Sequence, residues 1–479
     1  MKDGGRDMKM SMNKKNAVYP LPEEAPFLLK LGIAIPPLLF MVVVSSIGLV
    51  RNSLSTVVCE EANAAEHYAL IILISTLAGT LSSPIGGKLG DLYGRKRVAL
   101  VGLVPLFLSL ILCGMARGPI LLGLGYGLLG ITYTCLYYLT NGFIIDAFQE
   151  KTRVKLISYV TAANSLAGVI SPTIIGFLSD HIGAQRAMMC LGLLLVAAWV
   201  VMFAMYPDIK TNKKNITIDY MGIILILLAI GPACIALSIG GKQLAWSSPY
   251  IWLMFLVSAV FCVIFYKAEQ KKVQPIINFD LFKIPGFTSV LLFGCLFNCI
   301  NAFANYINLY CRNALEYNAT QLGALNTLYC LPVFVVPLVG HYIARTGNYR
   351  RVFAVSVLFM VAVGVSFGFI LNENTPLYAV VGFKGFQFLA GAFSLAPVNS
   401  YLGEILPSDM RGMGLGILGF MSTLSLSVFT AVFGMVLNIT PAGIHDALRY
   451  LSVILILVGV VRAAVLLFKV KEISALKSR

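Results

Sequence analysis

Lys384 stands inside the apolar stretch 376–402, about 12 Å from its nearer end at a helical rise of 1.5 Å per residue. A lysine at that depth costs about 2.5–3.5 kcal/mol on insertion scales, so it must face a cavity or a partner. Two chemistries suit it: holding a carboxylate or other anionic group, or donating to carbonyls freed between Gly382 and Gly385. A second group is Asn298, Asn301, Asn305 and Asn308, whose spacings of three and four put four amides on one helical stripe, with Tyr306 nearby. Tyr126, Tyr133, Tyr137 and Asn141 repeat the mixture in another apolar stretch. Such stripes can hold an amphipathic organic molecule, or they can bond neighbouring helices to each other. Asp146 has two readings as well: a proton-exchanging carboxylate, or a loop acid paired with Lys151 or Arg153.

Bond-making chemistry is poorly supplied. His67, His181, His341 and His445 are scattered without ligand spacing, and the ten cysteines form no CxxC pair, so no metal site or cofactor is expected. No phosphate-binding loop of the GxxxxGK type is present, which argues against an ATP-driven pump, and no nucleophile–base pair argues for an enzyme.

The elements that must position these groups follow from composition. The chain is 58% hydrophobic and 12% charged, far from the roughly 25% charge of a soluble domain. Its apolar residues gather into stretches near the roughly 20 residues that cross a bilayer as a helix. Fourteen spans are expected, at 29–52, 67–88, 98–116, 119–145, 156–178, 187–206, 220–240, 249–267, 286–310, 321–343, 352–371, 376–402, 412–437 and 443–468. The polar residues 1–26 read as a tail without a cleaved signal. With that tail in the cytoplasm, most of the 36 Lys and Arg fall in every second loop, as the positive-inside rule requires. Both termini are then cytoplasmic, in a plasma membrane. The net charge of +15 is thus an orientation signal and a contact with lipid headgroups, not a nucleic-acid footprint. Arg51, Lys30 and Arg462 lie within a turn or two of expected span ends, where snorkelling is the simplest account.

An internal repeat is present. Gly87-Lys88-Leu89-Gly90-Asp91-Leu92-Tyr93-Gly94-Arg95-Lys96-Arg97 follows the second span, and Gly340-His341-Tyr342-Ile343-Ala344-Arg345-Thr346-Gly347-Asn348-Tyr349-Arg350 follows the tenth. In both, glycine recurs after seven residues and a basic residue comes three later. Gly87 and Gly94 read as positions of close helix approach and tight turning. Two halves of parallel topology suggest a substrate site between them, near mid-membrane.

The run 87–97 resembles the signature loop of the major facilitator superfamily, G-x-L-x-D-x-x-G-R followed by two basic residues, at every specified position. The middle of the chain resembles the fourteen-helix drug:proton antiporter branch, in Asp219-Tyr220-Met221-Gly222, Gly240-Gly241, Trp246, Glu269 and Pro275 to Phe282. That likeness covers essentially residues 27–470. It implies an all-α membrane fold: a tail at 1–26, a six-helix bundle at 27–207, an inserted pair at 208–284, a second bundle at 285–468 and a tail at 469–479. It also implies that Gly87, Asp91, Gly94, Arg95 and Arg97, with Gly340, Gly347 and Arg350, form a cytoplasmic gate latching the outward-facing state. The branch's antiporter signature in span five survives only as Gly168, Ser171-Pro172 and Gly176, where Pro172 permits a bend and Gly176 close packing. Gly123 stands where the branch has an arginine in span four, and 26–59 contains no acid where it has an aspartate in span one. The implied activity is export of amphipathic organic compounds by alternating access, driven by protons; Asp146 is then the acid left to carry them. Lys384 supports an alternative, a carrier of organic anions in either direction, and the missing coupling residues keep a transport-inactive receptor in view. Expected partners are a small organic substrate, protons and membrane lipids, and the chain is expected to act as a monomer.

Overall fold

Apolar stretches of this length must become helices in hydrocarbon, because only a helix satisfies every backbone N–H and C=O within one segment. The computed structural model describes residues 19–21, 26–209, 218–270, 272, 276–277, 279–407, 410–440 and 443–468. Its first nine long helices are α1 Phe27–Glu61, α2 Tyr68–Tyr93, α3 Arg95–Met115, α4 Pro119–Ala147, α5 Glu150–Ile182, α6 Ala184–Met205, α7 Tyr220–Ile239, α8 Pro249–Glu269 and α9 Phe287–Asn313. The remainder are α10 Ala319–Ala324, α11 Leu331–Thr346, α12 Tyr349–Val365, α13 Leu377–Ala392, α14 Leu395–Ile405, α15 Arg411–Ile439 and α16 Ile444–Phe468. Among the described residues thirteen helices are long and apolar enough to cross a membrane, counting α13 and α14 as one. Large apolar side chains such as Ile120, Leu193 and Tyr378 point outward, at 82%, 73% and 80% exposure, the reverse of what water would select. The chain is a multi-pass helical membrane protein.

The expected span at 321–343 is not one helix. It is α10, a 3-10 turn at Thr327–Cys330, and α11. Pro332 has no N–H to give the Leu328 carbonyl, so the helix restarts at Leu331. The expected span at 376–402 is broken likewise, between Ala392 and Leu395, with Pro397 in the first turn of α14. Both repeat loops turn through a left-handed glycine, Gly94 at φ +86° and Gly347 at φ +65°. Gly87 and Gly340, by contrast, have open space where a Cβ would stand, so the close approach expected at Gly87 is not made.

Helices α1 to α6 pack on one another, as do α9 and α12 to α16. The pair α7–α8 lies beside both sets, α7 touching α2 and α15. Asp219 caps α7 by accepting from Gly222 N–H at 2.9 Å, and Lys272 ties it to the buried Glu269. The hydrophobic core is not symmetric. One continuous core joins the first set to the halves of α9 and α16 near Arg312 and His445. The other halves, around Phe293, Phe353 and Tyr401, have a core of their own.

Candidate functional site

The two helix sets close on each other at the membrane face opposite the 87–97 loop. There Arg312, at the end of α9, pairs with Glu60, at the end of α1, at 2.9 Å. Asp180, near the end of α5, accepts from Ala319 N–H and Thr320 N–H, both at 2.9 Å, and so caps α10. Asn326 Nδ2 donates to Ser53 Oγ at 2.7 Å, and Tyr68 Oη to the Asn305 carbonyl at 3.0 Å. Beneath these, glycines make the contact. A Cβ on Gly176 would overlap the Ala319 carbonyl, and one on Gly323 would overlap the Pro172 carbonyl. Gly176 and Pro172, singled out in span five, thus meet α10 directly; Gly168 is buried on the same helix.

Lys384 is 2% exposed and lies against this closure. Its ammonium donates to Asn308 Oδ1 at 3.0 Å, and Asn308 Nδ2 donates to the Asn52 carbonyl at 2.8 Å. Asn52 Oδ1 in turn accepts from Arg51 Nη2 at 3.0 Å, while Arg51 Nη1 reaches Ser75 Oγ at 2.9 Å. Snorkelling does not describe Arg51: α1 continues to Glu61, nearly three turns past it, and its guanidinium lies 5.6 Å from the centre of the Tyr133 ring.

Nor does it describe Arg462, which is completely buried. Its guanidinium donates to the Phe293 carbonyl at 3.0 Å, to Ser356 Oγ at 3.1 Å and to Ser394 Oγ at 2.5 Å, and it lies 3.8 Å from the centre of the Phe293 ring. Its fork fastens α9, α12 and the break before α14 to α16. Distance from a span end could not reveal this, because the inward face of a helix offers no water to snorkel toward.

The asparagine stripe divides. Asn301 Nδ2 donates to Asn298 Oδ1 at 3.2 Å, Asn305 is buried under Tyr68, and Asn308 belongs to the Lys384 chain. Tyr306 is 2% exposed and donates to the Thr430 carbonyl at 3.0 Å, knitting α9 to α15. Tyr133 and Tyr137 lie 5.8 Å apart between ring centres, both partly exposed. The side chains of Asn141, Lys151 and Arg153 lie outside the described residues.

At the other face, Arg95 Nε pairs with Asp146 Oδ2 at 2.5 Å and Arg95 Nη2 with Asp91 Oδ1 at 2.8 Å. All three belong to the first helix set. Arg97 pairs with the exposed Asp208 at 3.2 Å, and Arg350 donates to the Leu467 carbonyl at 3.2 Å. In the second set Tyr349 Oη donates to Glu404, near the end of α14, at 2.5 Å. Sequence reasoning missed Gly142, which leaves room for Arg95: a Cβ there would overlap the guanidinium. Gly142→Ala is therefore expected to cost about 1–3 kcal/mol of stability. In an Arg95→Ala background the same change should cost little, and melting temperatures of the four proteins in detergent check this.

Two helix sets sharing one closed membrane face, with an inserted pair at the side, have the architecture of a membrane transporter. The chain belongs to the Major Facilitator Superfamily, whose family model matches residues 33–430 and 286–478. It is a transport protein and not an enzyme. It is 26% identical over 383 residues to Multidrug resistance protein 3 of Bacillus subtilis, covering 78% of this chain and 73% of that one. It is also 26% identical over 352 residues to Multidrug resistance protein Stp of Mycobacterium tuberculosis, covering 73% and 65%. Among solved structures, a mutant of the peptide transporter POT superposes with a TM-score of 0.68 at 14% identity, over 90% of this chain and 93% of that one. A mutant of the nucleoside transporter NupG gives 0.61 at 14% identity, over 92% and 100%. These two likenesses are of fold.

Proposed function

We propose that the protein exports amphipathic organic compounds across a plasma membrane by alternating access, as a member of the fourteen-helix drug:proton antiporter branch. The observation that carries the proposal is the closure of the two helix sets at the face of Glu60 and Arg312, where an ion pair, the Asp180 cap on α10 and two glycine contacts cross the seam. A carrier resting with its external face shut has this form, and relatives named for multidrug resistance support the substrate class. In this account residues 27–207 and 285–468 are the rocking bundles, 208–284 is the inserted pair, α10 is the mobile half of a broken span, and the 87–97 loop is cytoplasmic. Asn298, Asn301, Tyr133 and Tyr137 face the substrate.

Protons are assigned to Asp146. Arg95 holds two carboxylates, so it keeps Asp91 when Asp146 takes a proton, and the guanidinium is never left uncompensated. In proteoliposomes with an imposed pH gradient, wild type is expected to drive a cationic amphipathic dye out against its gradient. Asp146→Asn should lose gradient-driven export, at least tenfold in initial rate, while still exchanging dye for dye. Export by Asp146→Asn at the wild-type rate would remove Asp146 from coupling.

A further inference from the structure

Arg462, Lys384 and Arg51 each lie inside a membrane-spanning helix, away from its ends, and they are not alike. Arg462 is enclosed by two hydroxyls, a carbonyl and an aromatic face, and its work is structural. Lys384 has three ammonium protons and, among the described residues, one acceptor, Asn308 Oδ1. Arg51 has five N–H donors and, among the described residues, donates to the neutral oxygens of Asn52 and Ser75, with the Tyr133 ring 5.6 Å from its guanidinium. Among the described residues no carboxylate pairs with either. The two cations belong to different helix sets, and a single row of hydrogen bonds joins them: Arg51 to Asn52, Asn52 to Asn308, Asn308 to Lys384. That row crosses the seam that must part if the closed face opens.

We infer that Arg51 and Lys384 are the two halves of one anion site, and that the carried substrates include amphipathic organic anions bearing a carboxylate, sulfonate or phosphate. When the seam parts, the Asn52–Asn308 bond breaks. The amide and carbonyl it frees, flanked by one cation from each bundle, then face the external path. An anion bound there bridges both bundles and replaces the bond that was lost, which draws the seam shut again. A cation gains nothing at this place. Arg51 presents a planar fork suited to two oxygens, and Lys384 a compact charge suited to a third. This assignment rests on the carrier function proposed for the chain.

The test uses the full chain in detergent and in proteoliposomes, with a sulfonated amphipathic dye and a cationic one of similar size. The sulfonated dye should raise the melting temperature of wild type, and Arg51→Gln and Lys384→Gln should each weaken that stabilisation at least tenfold in apparent affinity. Lys384→Arg should restore most of it. Asn308→Asp, which gives Lys384 a built-in carboxylate while keeping both cations, should abolish it. In proteoliposomes the ratio of anionic to cationic transport should fall at least tenfold in Lys384→Gln. If both dyes lose transport in parallel, Lys384 is a structural residue and the inference is wrong. If wild type moves the cationic dye yet is neither stabilised by nor moves the sulfonated one, the anion site is overturned and the export function stands. If the sulfonated dye stabilises wild type and the variants lose that effect while no dye is moved, the site stands and the export function fails.

Discussion

Gly176→Leu should slow transport at least tenfold by biasing the protein against closing its α5–α10 face. A Cβ alone on Gly176 would overlap the Ala319 carbonyl, and Gly323 meets the Pro172 carbonyl in the same way, so backbones on both sides of the seam touch without side chains between them. Neither carbonyl can retreat freely: the first belongs to α10, whose N–H groups Asp180 holds, and the second lies in mid-helix beside Pro172. Forcing a leucine into such a contact costs about 1–3 kcal/mol. Because that cost falls only on the closed state, it shifts the balance between states by roughly ten- to a hundredfold. The variant is expected to fold, because parting the seam relieves the overlap. A cysteine placed at Ser53, 1% exposed when the face is closed, should react with a membrane-impermeant thiol reagent about tenfold faster in Gly176→Leu than in the wild-type background. Unchanged labelling together with unchanged transport would show that the seam never carries this load.

The second large effect belongs to Arg462, where the charge-preserving substitution should be the worst. Arg462→Lys keeps a buried cation but loses the fork that reaches the Phe293 carbonyl, Ser356 and Ser394 together, and it loses the face-on contact with Phe293 at 3.8 Å. A buried charge stripped of its partners costs about 3–5 kcal/mol. Arg462→Met removes the charge along with its hydrogen bonds, and the two serines are left to their neighbours; Ser356 Oγ already donates to the Ala390 carbonyl at 2.8 Å. The expected cost is about 1–2 kcal/mol. Melting temperatures in detergent should therefore rank wild type above Arg462→Met and Arg462→Met well above Arg462→Lys. Arg462→Lys at wild-type stability would contradict the assignment of the fork as the fastening of α9, α12 and α14 to α16.

These cases mark the boundary of what the sequence reveals. Local chemistry reads well. Apolar length places most of the helices, and the glycine at 94 and its echo at 347 both take the left-handed conformation that a tight turn between spans demands. Lys384 is legible as a deep cation because its neighbours are apolar for many residues on either side. What cannot be read is which distant group a residue meets. Nothing near Arg462 in the chain announces Phe293 or Ser394, and its place near a span end points toward water when its helix face points inward. Gly142 and Gly323 look like ordinary small residues of membrane helices until Arg95 and Pro172 arrive from elsewhere. Helix breaks fall between these limits: Pro332 and Pro397 are visible, but whether a proline bends a helix or divides it depends on what satisfies the freed carbonyls.

The central claim is that the seam between the helix sets opens and closes in every transport cycle. Cysteines in place of Glu60 and Arg312, whose side chains meet at 2.9 Å across it, in a background without the ten native cysteines, can be joined by a short, reducible bifunctional reagent. Dye export from proteoliposomes should be intact before joining, lost when the two are joined, and regained on reduction. Export at the unjoined rate with the seam covalently locked would contradict the account.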